Sequence, residues 1–180
     1  MLAFDSVCVA VMTALSAAIH ECGHLIFAPP SKDATLPRAD ISGFRIKIDG
    51  MSYQEELIAA VGGPLANILL GTAILFFCRN SAPESYANIF GIINILTALS
   101  NLLPIEGYDG YKIIYCACAL IFDDATRCES VLTAISFALS ALMCFFALYL
   151  ILKVGEGYWI FGIFFTVTLS AIVRRRKDIF

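Results

Sequence analysis

The sequence is poor in charge and poor in histidine, and each scarcity narrows the reading. Only 15% of its 180 residues are Asp, Glu, Lys or Arg, where a soluble domain carries about 25%. That excludes an ordinary water-soluble fold. Hydrophobic residues make up 59% of the chain and fall in long runs, the mark of a polytopic membrane protein. The one dense basic cluster, Arg174, Arg175, Arg176 and Lys177, closes an apolar run. It reads as a stop-transfer signal and not as a nucleic-acid contact. Seven cysteines form no C-x-x-C pair, so no zinc ribbon or redox motif is present and no disulfide is expected. The first apolar run has no basic n-region and no small-residue cleavage site, so it reads as a span and not a signal peptide. There is no internal repeat, low-complexity tract or appended soluble domain.

The chain has two histidines, and both lie in one motif, His20-Glu21-Cys22-Gly23-His24. On a helix, residues i and i+4 share a face, so His20 and His24 can offer two imidazoles to one metal ion. Glu21 lies about 100° round from His20 and flanks the ion without having to ligate it. This is the layout for zinc-activated water with a carboxylate to take its proton. Zinc needs at least one more protein ligand. Cys22 is a variable position of the motif and projects off the His20/His24 face.

Taken in order, residues 6–28 form a first spanning helix that Pro29 and Pro30 end. Residues 43–50 alternate apolar and polar, and Asp49-Gly50 signals a turn, so a short membrane-associated β-hairpin is expected over 41–50. Its edge at Gly43, Phe44, Arg45 and Ile46 can pair with an extended substrate, or be an ordinary surface hairpin. Residues 55–78 form a second span in which Gly63, Asn67 and Gly71 share a face, inviting close approach of a neighbouring helix, with a kink at Pro64. Asn67 is a polar group at depth, either interhelical glue or part of a site. A third span covers 86–103, followed by a break at Pro104 and Gly107 and a turn at Asp109-Gly110. Irregular backbone in a membrane lines a cavity or is buried in protein. Asp109 there is either the third zinc ligand or a turn-capping residue. An interfacial helix over 110–122 leads through a polar loop to two more spans, 130–152 and 157–173.

The expected architecture is therefore all-α, with about five transmembrane helices and a short hairpin after the first. Residues 1–129 make a catalytic membrane core, and 130–180 add two helices and a basic cytoplasmic tail. With the N-terminus outside, Lys32, Arg38, Arg45, Lys47, Lys112, Arg127 and the four residues of the terminal cluster are all cytoplasmic. Ten of the twelve Lys and Arg are then on one side, a strong positive-inside bias. The same orientation puts the His20/His24 end and the Asp109 end near the cytoplasmic face.

Three motifs occur in order: HECGH (20–24), GPLAN (63–67) and NLLPIEGYDG (101–110). Together they resemble the site-2 protease family of intramembrane zinc metalloproteases, and within it the bacterial branch that includes the stage IV sporulation protein FB. The resemblance covers about residues 5–118. It implies that His20, His24 and Asp109 bind zinc, that Glu21 is the general base, and that Asn101, with Asn67, positions substrate or stabilises an oxyanion. It implies an integral protein of a bacterial cell membrane that cleaves a single-span membrane protein, in regulated intramembrane proteolysis. The sequence departs from that branch in lacking a spanning helix ahead of the zinc helix and a CBS or PDZ domain. Tyr111 also stands where a second Gly often follows Asp-Gly. The rival readings are a metal transporter using the same ligands, or an inactive membrane scaffold. A path of acidic or His residues through the last two spans would favour the transporter, and there is none. The intact Glu21 counts against the scaffold.

Overall fold

The computed structural model describes residues 2–29, 38–40, 43–45, 51–82, 85–122 and 125–154. They contain helices α1 (Leu2–Phe27), α2 (Tyr53–Phe77), α3 (Tyr86–Asn101), α4 (Asp109–Ile121) and α5 (Ala125–Val154), and two three-residue strands, β1 (Arg38–Asp40) and β2 (Gly43–Arg45). The chain divides into two compact units. One comprises Met1–Lys32 and Gly50–Leu103, and holds α1, α2 and α3. The other comprises Asp33–Asp49 and Pro104–Phe180, and holds the strands, α4 and α5.

In the first unit the helices pack through small and polar residues, as helices in lipid do where apolar side chains gain nothing by leaving the tails. α1 and α2 run antiparallel in one continuous register. Gly23 faces Gly62, the rings of His20 and His24 face Gly63, and Ser16 meets Asn67. α2 and α3 cross at Gly71 and Gly91, also antiparallel. Ser16, Asn67, Asn94 and Ala98 are buried, while large apolar side chains such as Ile26, Leu69, Phe77 and Leu96 point outward. Such an apolar exterior suits a bilayer. α2 begins at a capping box: Ser52 Oγ accepts from the Glu55 N–H, and Glu55 Oε2 accepts from the Ser52 N–H at 2.8 Å. This cap starts the helix two residues before the expected position 55. α2 continues as one helix through Pro64.

In the second unit α4 and α5 also run antiparallel. The Glu106 N–H donates to Ser136 Oγ at 2.7 Å, and Tyr111 Oη shares a hydrogen bond with Thr133 Oγ1 at 3.1 Å. α5 opens at Ala125, so Arg127 and Glu129 are helical and do not belong to the loop expected there.

Two expectations are corrected. Of the four expected spans that fall among the described residues, three are long and apolar enough to cross a membrane: Val7–Phe27, Tyr53–Phe77 and Thr126–Lys153. α3 has 16 residues, about 24 Å at 1.5 Å each, shorter than a ~30 Å hydrocarbon core. The expected last span, 157–173, lies outside the described residues. Together the three long apolar helices make this an integral membrane protein. The hairpin expected over 41–50 is not seen either, and the fold is carried by helices. What is extended is a three-residue ladder with Arg38 opposite Arg45, Ala39 opposite Phe44 and Asp40 opposite Gly43. Only residues 41 and 42 separate its strands, so Asp49-Gly50 is not its turn. Alternation alone does not say where a ladder turns, because register is set by the connection.

Candidate metal centre

The imidazoles of His20 and His24 lie on one face of α1, with ring centroids 4.7 Å apart and planes at 89°. His20 is buried and His24 half-buried. His24 Nδ1 lies 2.8 Å from the Ala59 carbonyl oxygen. A carbonyl only accepts, so Nδ1 carries the proton, and Nε2 is left with the lone pair that a metal takes. Such a backbone partner fixes the tautomer and ring plane of a ligating histidine.

α2 makes room for both rings at Gly63. A Cβ there would stand 2.5 Å from His24 Cε1 and Nε2 and 2.9 Å from His20 Cε1. The close approach is supported at the adjoining residues, where Gly23 and Gly62 bring the two backbones together. A Cβ on either would come 2.5 Å from the other's carbonyl oxygen.

Asp109 is the first residue of α4. Gly107 precedes it with φ 105°, a left-handed conformation that favours glycine. Asp109 is only 6% exposed; a carboxylate so buried needs polar partners or a cation. His20 and His24 supply two imidazoles from one face of α1, and Asp109 supplies a carboxylate from the first turn of α4. Two imidazole nitrogens and a carboxylate oxygen are a donor set that zinc takes, leaving a position for water. With Gly63 cradling the rings, these residues fit such an ion. Glu21, half-buried, stands beside the set and not within it.

The other expected site residues are placed as follows. Asn67 is fully buried, and its Nδ2 lies 3.3 Å from both the carbonyl oxygen and Oγ of Ser16. Asn101 is half-buried at the end of α3 and donates to the Thr97 carbonyl at 2.9 Å. Gly43, Phe44 and Arg45 form β2, and Ile46 lies outside the described residues. Sequence reasoning passed over the Ala59 carbonyl, which no side-chain pattern can signal. It also passed over Ser16, which a signal did mark: a hydroxyl four residues before His20, on the same face of an apolar helix.

These features define a membrane-embedded helical fold whose residues include a histidine pair and a buried aspartate, both of metal-binding chemistry. No protein-family model and no curated protein sequence matches the chain. Among solved structures it is similar to the site-2 protease from Methanocaldococcus jannaschii, with a TM-score of 0.67 at 18% identity, over 89% of this chain and 74% of that one. At that identity the likeness shows a shared fold.

Proposed function

We propose that this chain is an intramembrane zinc metalloprotease that hydrolyses a peptide bond in or beside the transmembrane segment of a single-span membrane protein. The observation that carries the reading is the pair of imidazoles, His20 and His24, side by side on α1 and seated against Gly63, in a chain whose fold is shared with a site-2 protease. The three residues would hold zinc, with His24 oriented by the Ala59 carbonyl and the rings seated against Gly63. When bound, zinc supplies Lewis acidity that brings the ionisation of water towards neutral pH.

The chain's own groups do the rest. Glu21, adjacent to His20 and outside the ligand set, takes the proton of the attacking water and returns it to the leaving amine. The Asn101 amide, anchored to the Thr97 carbonyl, is the side chain proposed to hold the substrate backbone or the developing oxyanion; a donor of this kind is worth about 3–4 kcal/mol. Asn67 is less suited to that role, because its N–H groups are turned to Ser16. A spanning substrate must unwind locally to expose its carbonyl, so small or polar residues near the cleaved bond favour it. The distribution of Lys and Arg supports an active site near the cytoplasmic face.

The test is Glu21→Gln, assayed in detergent with a single-span substrate. The variant is expected to keep its zinc and to lose cleavage by about 10²–10⁴-fold, the range for general acid–base catalysis. Undiminished cleavage would eliminate the base, and a wild-type protein that takes up no zinc would eliminate the enzyme class.

A further inference from the structure

Below the imidazoles, α1, α2 and α3 share a buried polar chain. Asn67 Nδ2 donates to Ser16. Ser16 Oγ in turn donates to Thr97 Oγ1 at 3.0 Å or to Asn94 Oδ1 at 3.3 Å. Thr97 Oγ1 passes its proton to the Ile93 carbonyl at 2.9 Å, and Asn94 Nδ2 donates to the Phe90 carbonyl at 2.8 Å. Donors and acceptors match along this chain except at one atom. Asn67 Oδ1 is fully buried and has no hydrogen-bond partner among the described residues. The Ser16 carbonyl only accepts, so the amide is not flipped: Nδ2 is the atom on Ser16, and Oδ1 is turned elsewhere. A buried amide oxygen without a donor is costly, most of all inside a membrane protein.

The α1–α2 register says which donor it can serve. Ser16, opposite Asn67, lies one turn from His20 on the same face of α1, and Gly63, against His20, lies one turn from Asn67 on α2. The seam already shows the pattern one turn further on, where His24 gives its Nδ1–H to a carbonyl of α2 and keeps Nε2 for a metal. We infer that Asn67 is a positioning residue for His20: its Oδ1 accepts, through one buried water, the Nδ1–H of His20. That holds the ring in the tautomer whose Nε2 faces the ion. The water has the polar partners it requires, a donor on one side and an acceptor on the other. On this inference both zinc-helix imidazoles are oriented from α2, one by a backbone carbonyl and one by an amide side chain. The inference rests on the zinc reading above.

The test compares Asn67→Leu, Asn67→Asp and Asn94→Leu in detergent. It reads zinc affinity by competition with a chelator, the absorption spectrum of the cobalt-loaded protein, and the unfolding temperature of the metal-free protein. Asn67→Leu removes the acceptor and is expected to weaken zinc binding by about 10–100-fold and to shift the cobalt spectrum. Asn67→Asp keeps an oxygen in place while losing the Ser16 bond; it should lower the unfolding temperature yet hold zinc within about threefold of wild type. Asn94→Leu breaks the same polar chain away from His20, and should cost stability with zinc affinity unchanged. If Asn67→Leu does not fold, Asn67→Ala carries the same expectation. Zinc affinity unchanged in the Leu or Ala variant, or falling equally in the Asp and Leu variants, overturns the inference while leaving the metal centre standing. A wild-type protein with no zinc affinity overturns the reading beneath it.

Discussion

Gly63 and Gly71 lie about two turns apart on α2, and both are buried, yet a methyl group added to each would meet different matter. At Gly63 it would meet the edges of two imidazoles. At Gly71 it would meet the Gly91 carbonyl oxygen at 2.8 Å and the Ile95 side chain at 2.9 Å. One glycine makes room for chemistry, the other for the neighbouring helix. A single helix thus uses the smallest residue for two purposes, and a stripe of small residues does not tell them apart. What sits opposite decides.

The largest effect is expected at Gly63→Ala. The His24 ring would have to swing away, giving up its bond to Ala59. Zinc affinity should fall by at least about 100-fold, the upper range for losing a ligand's orienting partner, and cleavage should fall with it. The unfolding temperature of the metal-free protein should change little, since rotating rings absorb the added volume. Gly71→Ala should do the reverse. Its Cβ presses on a backbone that cannot rotate out of the way, so overpacking should cost about 1–3 kcal/mol of stability and leave zinc affinity unchanged. Chelator competition and thermal unfolding on both variants check this. If the two variants lose zinc and stability in step, the distinction between the two glycines fails.

The parts of this molecule legible in the sequence are those carried by local spacing. Two imidazoles four residues apart must share a helix face, and the rings are indeed side by side. A helix must end near Pro104 and Gly107, so a new one can begin at Asp109. What was not legible depends on partners distant in sequence. The length of α3 is set by where Leu102 and Leu103 leave the helix, and apolar residues there give no stop signal. The alternation over 43–50 says nothing about which residues face it, and so does not point to the ladder of 38–40 with 43–45. Spacing puts Gly63 and Gly71 on one face, as if against one neighbour, whereas one serves α1 and the other α3. Ser52 was legible in principle: a Ser three residues before a Glu is a capping box, and it moves the start of α2.

A second comparison sets the seam of α1 and α2 against that of α4 and α5. The latter is held by hydrogen bonds from Glu106 to Ser136 and between Tyr111 and Thr133. Ser136 is nearly fully buried. Ser136→Ala strands the Glu106 N–H and should cost about 1–3 kcal/mol. Zinc affinity should be less affected than by Gly63→Ala, and thermal unfolding with chelator competition reads the difference.

The smallest effect concerns Tyr111. Burial raises the pKa of its phenol; the nearby Glu106 and Glu129 charges add to the rise, and the Thr133 hydrogen bond opposes it. Tyr108 is raised by burial as well. A phenol whose folded pKa is raised keeps its proton more firmly in the native state. Its contribution to stability is therefore complete below the unfolded value of about 10 and is lost as pH rises through the folded one. The unfolding temperature in detergent should fall above pH ~10, and Tyr111→Phe should make that fall shallower while costing about 1 kcal/mol at neutral pH for the Thr133 bond. An alkaline slope identical in wild type and Tyr111→Phe would show that the phenol is not sequestered between the helices. The α4–α5 seam would then be open to water where the α1–α2 seam is closed.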